Sequence, residues 1–564
     1  MLPPMTTASP PPIPFPTIAE AVRAHTDPDR VAIRFEDETY TWADHARACA
    51  QRAAWFTAVA DPGAPPHIGV LLDNTPEFYF WLGAAALIGA TVVGINPTRR
   101  GAELARDVTF TDCQVVVTET RHLSLLDGLD LGPANDHLVV VDDPASAAVL
   151  APFADAPLPT ADIPKKTTHV LLFTSGTSGA PKACILTQGR LMLQGSFLVH
   201  NMGLGDDTVL YAMMPMFHSN AIITSYVPWL VTGGTVAVRR KFSASGFLPD
   251  VRKYRVTYFN YVGKPLSYIL ATPEQPDDAD TTLRLAFGNE GSDLDIERFS
   301  ARFGVPVVDG YGSTEGGASI SRSADMPKGS LGKAGPGICI LDPETLAEMP
   351  PARFDTEGRL LNADECIGEI VNKNGAAGFE GYYKNDEANA QRIRHGWYWT
   401  GDLGYADADG WIYFGGRDFE WLRVDGENFA AAPIERILAR HPAVVLAGVY
   451  AVPDEEVGDQ VMVTLLVRDP ADFDPADFDE FLGEQTDLGT KWSPRYVRIT
   501  TDLPVTESQK PLKRLLRRER WDTTEPVFWR PAKGAPLQPM TDDDRTALLA
   551  EFARHGRTAA LDVV

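Results

Sequence analysis

Phe173-Thr174-Ser175-Gly176-Thr177-Ser178-Gly179-Ala180-Pro181-Lys182 is the stretch on which the reading of this chain turns. Residues 174–179 put four hydroxyl side chains and two glycines into six positions, and a proline and a lysine follow. Glycines let backbone N–H groups turn toward an anion, and hydroxyls and a cation complete such a cradle. The segment follows His169-Val170-Leu171-Leu172-Phe173, an apolar run of the length of a buried strand. The physical reading is a phosphate-binding loop entered from a strand. It is not a Walker A loop, because Gly176, Gly179 and Lys182 stand at G-x-x-G-x-x-K rather than G-x-x-x-x-G-K-[ST].

The strand before the loop is one of a series. Strand-like runs recur at His67–Leu72, Ala90–Ile95, Gln114–Thr118 and His137–Val141, with helix-like stretches such as Trp42–Val59 and Leu191–Val199 between them. That alternation predicts an α/β class with parallel or mixed sheets. Phe78–Ile95 is eighteen residues without a charge, close to the length of a membrane span. Gly83, Gly89 and Gly94 and the switch to Thr91-Val92-Val93 argue instead for a buried helix of about eight to twelve residues running into a buried strand. No transmembrane segment is expected.

The chain carries 76 acidic and 51 basic side chains in 564 residues, a net charge of −25. A nucleic-acid binder normally carries a basic footprint, so nucleic acid is excluded as a partner. Any anionic ligand must be held by local donors. The five cysteines are scattered without a C-x-x-C pair, which suits a cytoplasmic setting and offers no zinc site. Residues 1–16 hold seven prolines and no charge, and read as a disordered lead without the pattern of a secretory signal. A change of character near residue 417 divides the remainder into 17–417 and a charged segment 418–564. There Ala447–Val452 and Gln460–Val467 read as strands, and Pro475–Gln485, Leu512–Glu519 and Asp543–His555 as helices.

Four further clusters carry chemistry. Gly310-Tyr311-Gly312-Ser313-Thr314-Glu315-Gly316-Gly317 offers an aromatic face for a base and a carboxylate that can hold Mg2+ beside phosphates. Trp399-Thr400-Gly401-Asp402 places an aspartate at a turn, and Arg417 follows fifteen residues later. Pro504-Val505-Thr506-Glu507-Ser508-Gln509-Lys510 ends in a compact ammonium suited to a phosphate whose charge shifts during attack. Met214-Pro215-Met216-Phe217-His218 precedes an apolar helix. Each alone has a bland reading: a glycine turn, an Asx turn, a surface lysine in a basic run, a packed core histidine.

Together, and in this order, these motifs resemble the acyl-adenylate-forming superfamily. Arg240-Lys241-Phe242-Ser243-Ala244-Ser245, Asn260-Tyr261-Val262-Gly263-Lys264-Pro265 and Val424-Asp425-Gly426-Glu427-Asn428 resemble its very-long-chain acyl-CoA synthetase branch, and within it actinobacterial fatty-acid–CoA ligases. The resemblance implies a large N-terminal multi-subdomain α/β adenylating domain and a small mobile α+β C-terminal domain. It implies ATP, Mg2+ and CoA, and conversion of an apolar acid (fatty, steroid-like or terpenoid) to its CoA thioester through acyl-AMP.

The implied catalytic residues are Lys510, Glu315, Thr174 and His218, the last as a substrate gate. Ser175, Gly176, Thr177, Ser178, Gly179 and Lys182 would hold pyrophosphate. Gly288, Asn289 and Glu290, before Gly291, would form the adenine-side loop. Tyr311 would face adenine, Gly312 and Thr314 the phosphate side, Asp402 and Arg417 the ribose, and Gly426 the pantetheine tunnel. Thr174 and Glu315 are the implied metal ligands. Phe419 stands two beyond Arg417, where relatives commonly carry Asp or Lys at the hinge. It keeps an alternative open, an enzyme specialised for acyl-AMP formation with thiolation weak or left to a partner ligase or carrier protein. A homodimer also stays open, and small glycines near the acid site fit either a wide pocket or tight loop packing.

Overall fold

The structure, a computed structural model, describes residues 13–174, 182–263, 265–291, 293–323, 325–356, 360–417, 421–424, 427–456, 459–485, 488, 491–505, 511–532 and 534–562. The chain divides into two compact units, Met1–Ala324 with Ala377–Ile393, and Asp325–Ala376 with Arg394–Val564. The protein is α/β, with a large N-terminal part and a smaller C-terminal one.

The first unit is built on two sheets. One has six strands in the order 138–140, 113–118, 67–71, 91–94, 168–173 and 183–187. Its pairs are parallel except the last, where Thr168–Phe173 and Ala183–Thr187 form an antiparallel hairpin. The Thr174 amide donates to the Lys182 carbonyl at 3.0 Å. Thr174 and Lys182 therefore extend this hairpin by one further hydrogen bond. The other sheet has eight strands, with a parallel centre running 307–312, 285–289, 258–262, 209–212, 235–238 and 31–35. Parallel strands buried on both faces read as continuous apolar runs, as His67–Leu71 and Cys113–Thr118 do, each buried along its whole length.

The uncharged segment resolves into the helix Pro76–Ile88, with Pro76 in its first turn, Gly89 closing it at φ 71°, and the strand Thr91–Gly94. Gly89 meets the positive φ of that cap without a Cβ clash. The helix is buried nearly end to end among aromatic and aliphatic side chains. No helix among the described residues is long and apolar enough to cross a membrane. Helix Trp42–Val59 starts where a capping box forms between Thr41 and Asp44. The second helix extends beyond the expected Leu191–Val199, from Gln188 to Met202, because Thr187 caps its start and Gly203, at φ 62°, ends it. Residues 13–16 are described, and Phe15 packs edge-on against the His25 ring, centroids 5.4 Å apart. The first twelve residues lie outside the described ones.

The second unit holds an antiparallel sheet in the order 330–333, 411–417, 397–406, 368–372 and 338–341. A second sheet runs 444–453, 459–467, 496–500, 527–529 and 538–539. Helices Ala431–Leu438, Pro475–Glu484, Lys513–Glu519 and Asp542–Arg554 belong to the same unit. Two of them flank a core that includes Ile434, Leu438, Val449, Val463, Phe478 and Val497.

Candidate active site

Strand Val307–Gly312 runs further than its apolar start suggests, so Tyr311 and Gly312 are strand residues. Gly310, Tyr311 and Gly312 pair with Ser321, Ile320 and Ser319, which leaves residues 313–318 as the loop joining two antiparallel strands. That loop carries Thr314 and Glu315. The Thr314 hydroxyl is 2.7 Å from the Ser219 hydroxyl, and its carbonyl accepts from Arg190 Nη2 at 2.7 Å. Arg190 is held in turn by Glu380, 3.6 Å from Nη1, and Glu380 also accepts from the Thr187 amide and hydroxyl. Gly316 adopts φ 70°, and a Cβ there would strike Arg190 Nη2, so glycine is required twice over.

Glu315 is buried, 5% exposed. Tyr382 donates its hydroxyl to Glu315 Oε1 at 2.6 Å, Arg392 donates to that hydroxyl at 3.0 Å, and the Arg392 guanidinium lies 4.0 Å from the carboxylate. Burial works against the charged form, but Arg392 and the Tyr382 hydroxyl outweigh it, and the carboxyl sits below its ordinary range. Lys182 shares this neighbourhood. Burial and Arg392 push its ammonium below the usual lysine range, with Glu315 and Glu387 opposing. The result is an ionised buried carboxylate held by Tyr382 and Arg392 and within electrostatic reach of Lys182, the residue just before strand Ala183–Thr187.

His218 sits at the start of a short helix Ser219–Ala221, which runs into a π-helical turn at Ile222–Tyr226. Its approach is fixed by buried Asn74, whose Nδ2 donates to the Met214 and Arg239 carbonyls at 2.9 and 3.1 Å and whose Oδ1 accepts from the Met216 amide at 2.9 Å. Gly288 and Asn289 end the strand Leu285–Asn289, and Glu290 follows at φ 64°. A Cβ on Gly288 would strike the Tyr261 ring, and one on Gly291 would come 2.7 Å from the Tyr261 hydroxyl. At Gly288, Gly291 and Gly316 the missing side chain thus makes room for Tyr261 or Arg190, which is tight packing rather than pocket width.

Tyr261 donates its hydroxyl to Asp309 Oδ2 at 2.7 Å, and the Gly291 amide donates to the same oxygen at 2.8 Å. Burial pushes Asp309 up to about 6, against the pull of Arg322, the Gly291 amide and the Tyr261 hydroxyl. A carboxyl raised on folding lends its stability fully below its ordinary pKa of 3.8 and loses it as pH rises through about 6. Relative to Asp309→Asn, the parent protein should therefore lose thermal stability as pH rises from 4 to 7. Parallel melting curves for the two proteins across that window check it, and parallel pH dependences would contradict it.

In the second unit, Asp402 lies on strand Trp397–Ala406, and Arg417 on strand Trp411–Arg417 is its cross-strand partner. The two residues the sequence assigned to one ribose are backbone neighbours. The expected turn before Asp402 is instead an irregularity within strand Trp397–Ala406, held by Glu369: its Oε1 accepts from the Gly401 amide at 2.8 Å and its Oε2 from Arg394 at 2.7 Å. Gly401 has φ 70°, and the Asp402 amide donates to the Thr400 hydroxyl at 3.0 Å. Ser175, Gly176, Thr177, Ser178, Gly179, Phe419, Gly426 and Lys510 lie outside the described residues.

Sequence reading missed Asn74, Arg190, Ser219, Glu369, Tyr382 and Arg392. It also missed a trio with metal-ligand side chains, Asp73, Glu119 and His122. Protein cations already serve that trio. Arg121 meets Asp73 at 2.6 Å, Lys241 lies 3.4 Å from Asp73, and Arg240 pairs with Glu119. The Arg240-Lys241 pair quoted above is thus one side of a charge clasp.

The sequence and the fold have parallels among known proteins. The AMP-binding enzyme model matches residues 21–383, and the AMP-binding enzyme C-terminal domain model matches residues 433–510. A steroid-22-oyl-CoA synthetase of Rhodococcus jostii (strain RHA1) is 51% identical over 550 residues, 97% of this chain and 99% of the relative. A medium/long-chain-fatty-acid–CoA ligase, FadD17, of Mycobacterium marinum (strain ATCC BAA-535 / M) is 47% identical over 88% of this chain and 95% of its own. The crystal structure of ATP-bound MatB from Rhodopseudomonas palustris superposes with a TM-score of 0.76 at 23% identity, covering 90% of this chain and 99% of that one, a likeness of fold.

Proposed function

Because this chain belongs to the AMP-binding enzyme family, we propose that it joins a bulky apolar acid, of steroid side-chain or long fatty type, to CoA through an acyl-AMP. The chain is an AMP-forming acid–thiol ligase, an acyl-CoA synthetase for apolar acids that uses ATP and CoA. The observation that carries the steroid or fatty reading is 51% identity along 97% of the chain to a protein named for a steroid-22-oyl acid.

The chemistry has two steps. A carboxylate oxygen attacks the α-phosphorus of ATP; the new O–P bond forms as the bond to pyrophosphate breaks, and pyrophosphate leaves with the electron pair. The CoA sulfur then attacks the acyl carbon, the thiol proton is released, and the bond to AMP breaks. No bond to the protein is required, so catalysis is positioning and charge stabilisation. In this reading Lys510 stabilises the first transition state, and Thr174–Lys182 takes the pyrophosphate. Tyr311, Asp402 and Arg417 hold the nucleoside beside Gly288–Glu290, His218 gates the acid, and Gly426 lines the path of the pantetheine.

The Thr174 hydroxyl and the ionised, buried Glu315 carboxylate are hard oxygen donors, the kind Mg2+ takes beside phosphates, and these two would hold it. Bound there, the ion would neutralise phosphate charge. Residues 17–417 would form the adenylating part and 418–564 the part that carries the hinge, with Phe419, and Lys510.

A panel of acids from acetate to polycyclic steroid acids, assayed for pyrophosphate and thioester, tests the substrate class. Apolar burial is worth about 0.8 kcal/mol per CH2, roughly fourfold in kcat/KM. Long or polycyclic acids should therefore exceed acetate by at least about a hundredfold. A preference for acetate or an amino acid would overturn the reading.

A further inference from the structure

Three asparagine amides form a chain across the ends of the strands that carry the nucleoside-side residues. Asn289 Nδ2 donates to the Gly310 carbonyl at 2.6 Å. Asn220 Nδ2 donates to Asn289 Oδ1 at 3.3 Å and to the Tyr261 carbonyl at 3.2 Å. Asn260 Nδ2 donates to Asn220 Oδ1 at 2.6 Å.

The direction of this chain is fixed. A backbone carbonyl only accepts, so Gly310 obliges Asn289 to present its NH2 group and leaves the Asn289 oxygen facing Asn220. The Tyr261 carbonyl makes the same demand on Asn220, whose oxygen is left facing Asn260. At the far end Asn260 Oδ1 has no hydrogen-bond partner among the described residues, and Asn260 is 1% exposed. The polarity is therefore imposed from the Gly310 and Tyr261 carbonyls, and reversing any amide sets two acceptors against each other.

The chain also joins two parts of the site. Asn220 follows His218 and Ser219, and Ser219 touches Thr314. Gly310 immediately precedes Tyr311. We propose that Asn220 is a positioning residue, which locks the His218–Asn220 segment on the acid side to the Gly310–Tyr311 strand end on the nucleoside side through a one-way amide chain. The proposal rests on the ligase reading, and on Tyr311 facing the base.

The rival account is a buried polar network that only stabilises the fold. Isosteric variants separate the two. Asn220→Asp keeps the volume but meets Asn289 with an acceptor. Asn289 must then turn, and its oxygen meets the Gly310 carbonyl. Asn220→Ala removes the Nδ2 donor to Asn289 and Tyr261 and the Oδ1 acceptor of Asn260, but sets no acceptor against another. Asp should therefore be worse than Ala for ATP, whereas a packing role ranks Ala as worse because it leaves a cavity.

ATP–pyrophosphate exchange with the best acid of the panel should show KM for ATP raised about tenfold by Asn220→Asp and about threefold by Asn220→Ala, the scale of one or part of one neutral hydrogen bond. KM for the acid should move less than KM for ATP in both. Asn289→Ala should raise KM for ATP more than Asn260→Ala, although Asn260 is the more buried, because Asn260 is the loose end. This second pair keeps the proposal falsifiable if Asn220→Asp fails to fold. Ala worse than Asp, Asn260→Ala worse than Asn289→Ala, or a fall in kcat with both KM values unchanged would each overturn it. Exchange in the parent with the wrong ranking defeats only the amide chain. No exchange in the parent with any acid defeats the ligase reading and this proposal with it.

Discussion

Lys510→Ala is expected to slow acyl-AMP formation by about two to three orders of magnitude, the scale of removing one positioned electrostatic donor from a developing charge. As the carboxylate attacks, negative charge moves onto the α-phosphate oxygens and the departing pyrophosphate. A compact ammonium follows that movement without a fixed planar geometry. Thioester formation from supplied acyl-AMP needs no such charge and should survive much better. The basic run after Lys510 supplies its own control. Lys513 is committed elsewhere, its ammonium 2.8 Å from Glu435, so Lys513→Ala should change stability more than adenylation. Single-turnover measurement of each half-reaction checks this. Equal loss of both half-reactions in a folded Lys510→Ala protein would remove Lys510 from its assigned role.

Much of the fold was legible because local chemistry punctuates it. Helix Trp42–Val59 starts where it was expected, and there Thr41 and Asp44 form a capping box. Helix Gln188–Met202 was read short at its N-terminus for a physical reason. Gln188 is polar yet fully buried: its Nε2 donates to the Ala86 carbonyl and its Oε1 accepts from the Ala19 amide. Hydrophobic periodicity is blind to a side chain that is inside because it is satisfied. The grouping of Asp325–Ala376 with the C-terminal residues rests on contacts distant in sequence, such as the antiparallel pairing of Gly368–Asn372 with Trp397–Ala406, for which composition carries no signal.

The site divides in the same way. Glu315, Thr314 and Asp402 were singled out because short contiguous motifs carry them. Their supports act from far along the chain: Tyr382 reaches Glu315 across 67 positions, and Arg190 reaches Thr314 across 124. The glycines at 288 and 291 illustrate a subtler limit. Smallness at a position is legible, but what fills the space is decided by Tyr261, on another strand.

Glu315→Gln should fold with nearly the parent's melting temperature and yet lose about two to three orders of magnitude in acyl-AMP formation. Glutamine keeps the volume and an acceptor oxygen for the Tyr382 hydroxyl, now at 2.6 Å, so packing and that hydrogen bond persist. What it removes is the charge. In the parent, Arg392 and Tyr382 outweigh burial to keep that charge in place, an arrangement that costs desolvation and gains little from a single pair. Such an arrangement is understandable if the charge has a second use, in holding a cation beside the triphosphate. Glu315→Ala should do worse in stability as well, because it leaves the Tyr382 hydroxyl and the Arg392 guanidinium facing a void. Pyrophosphate exchange across a Mg2+ titration, run beside thermal melts, separates the effects. A purely structural carboxylate predicts a Gln variant as active as the parent. A metal-holding one predicts a folded Gln variant whose residual activity requires much more Mg2+.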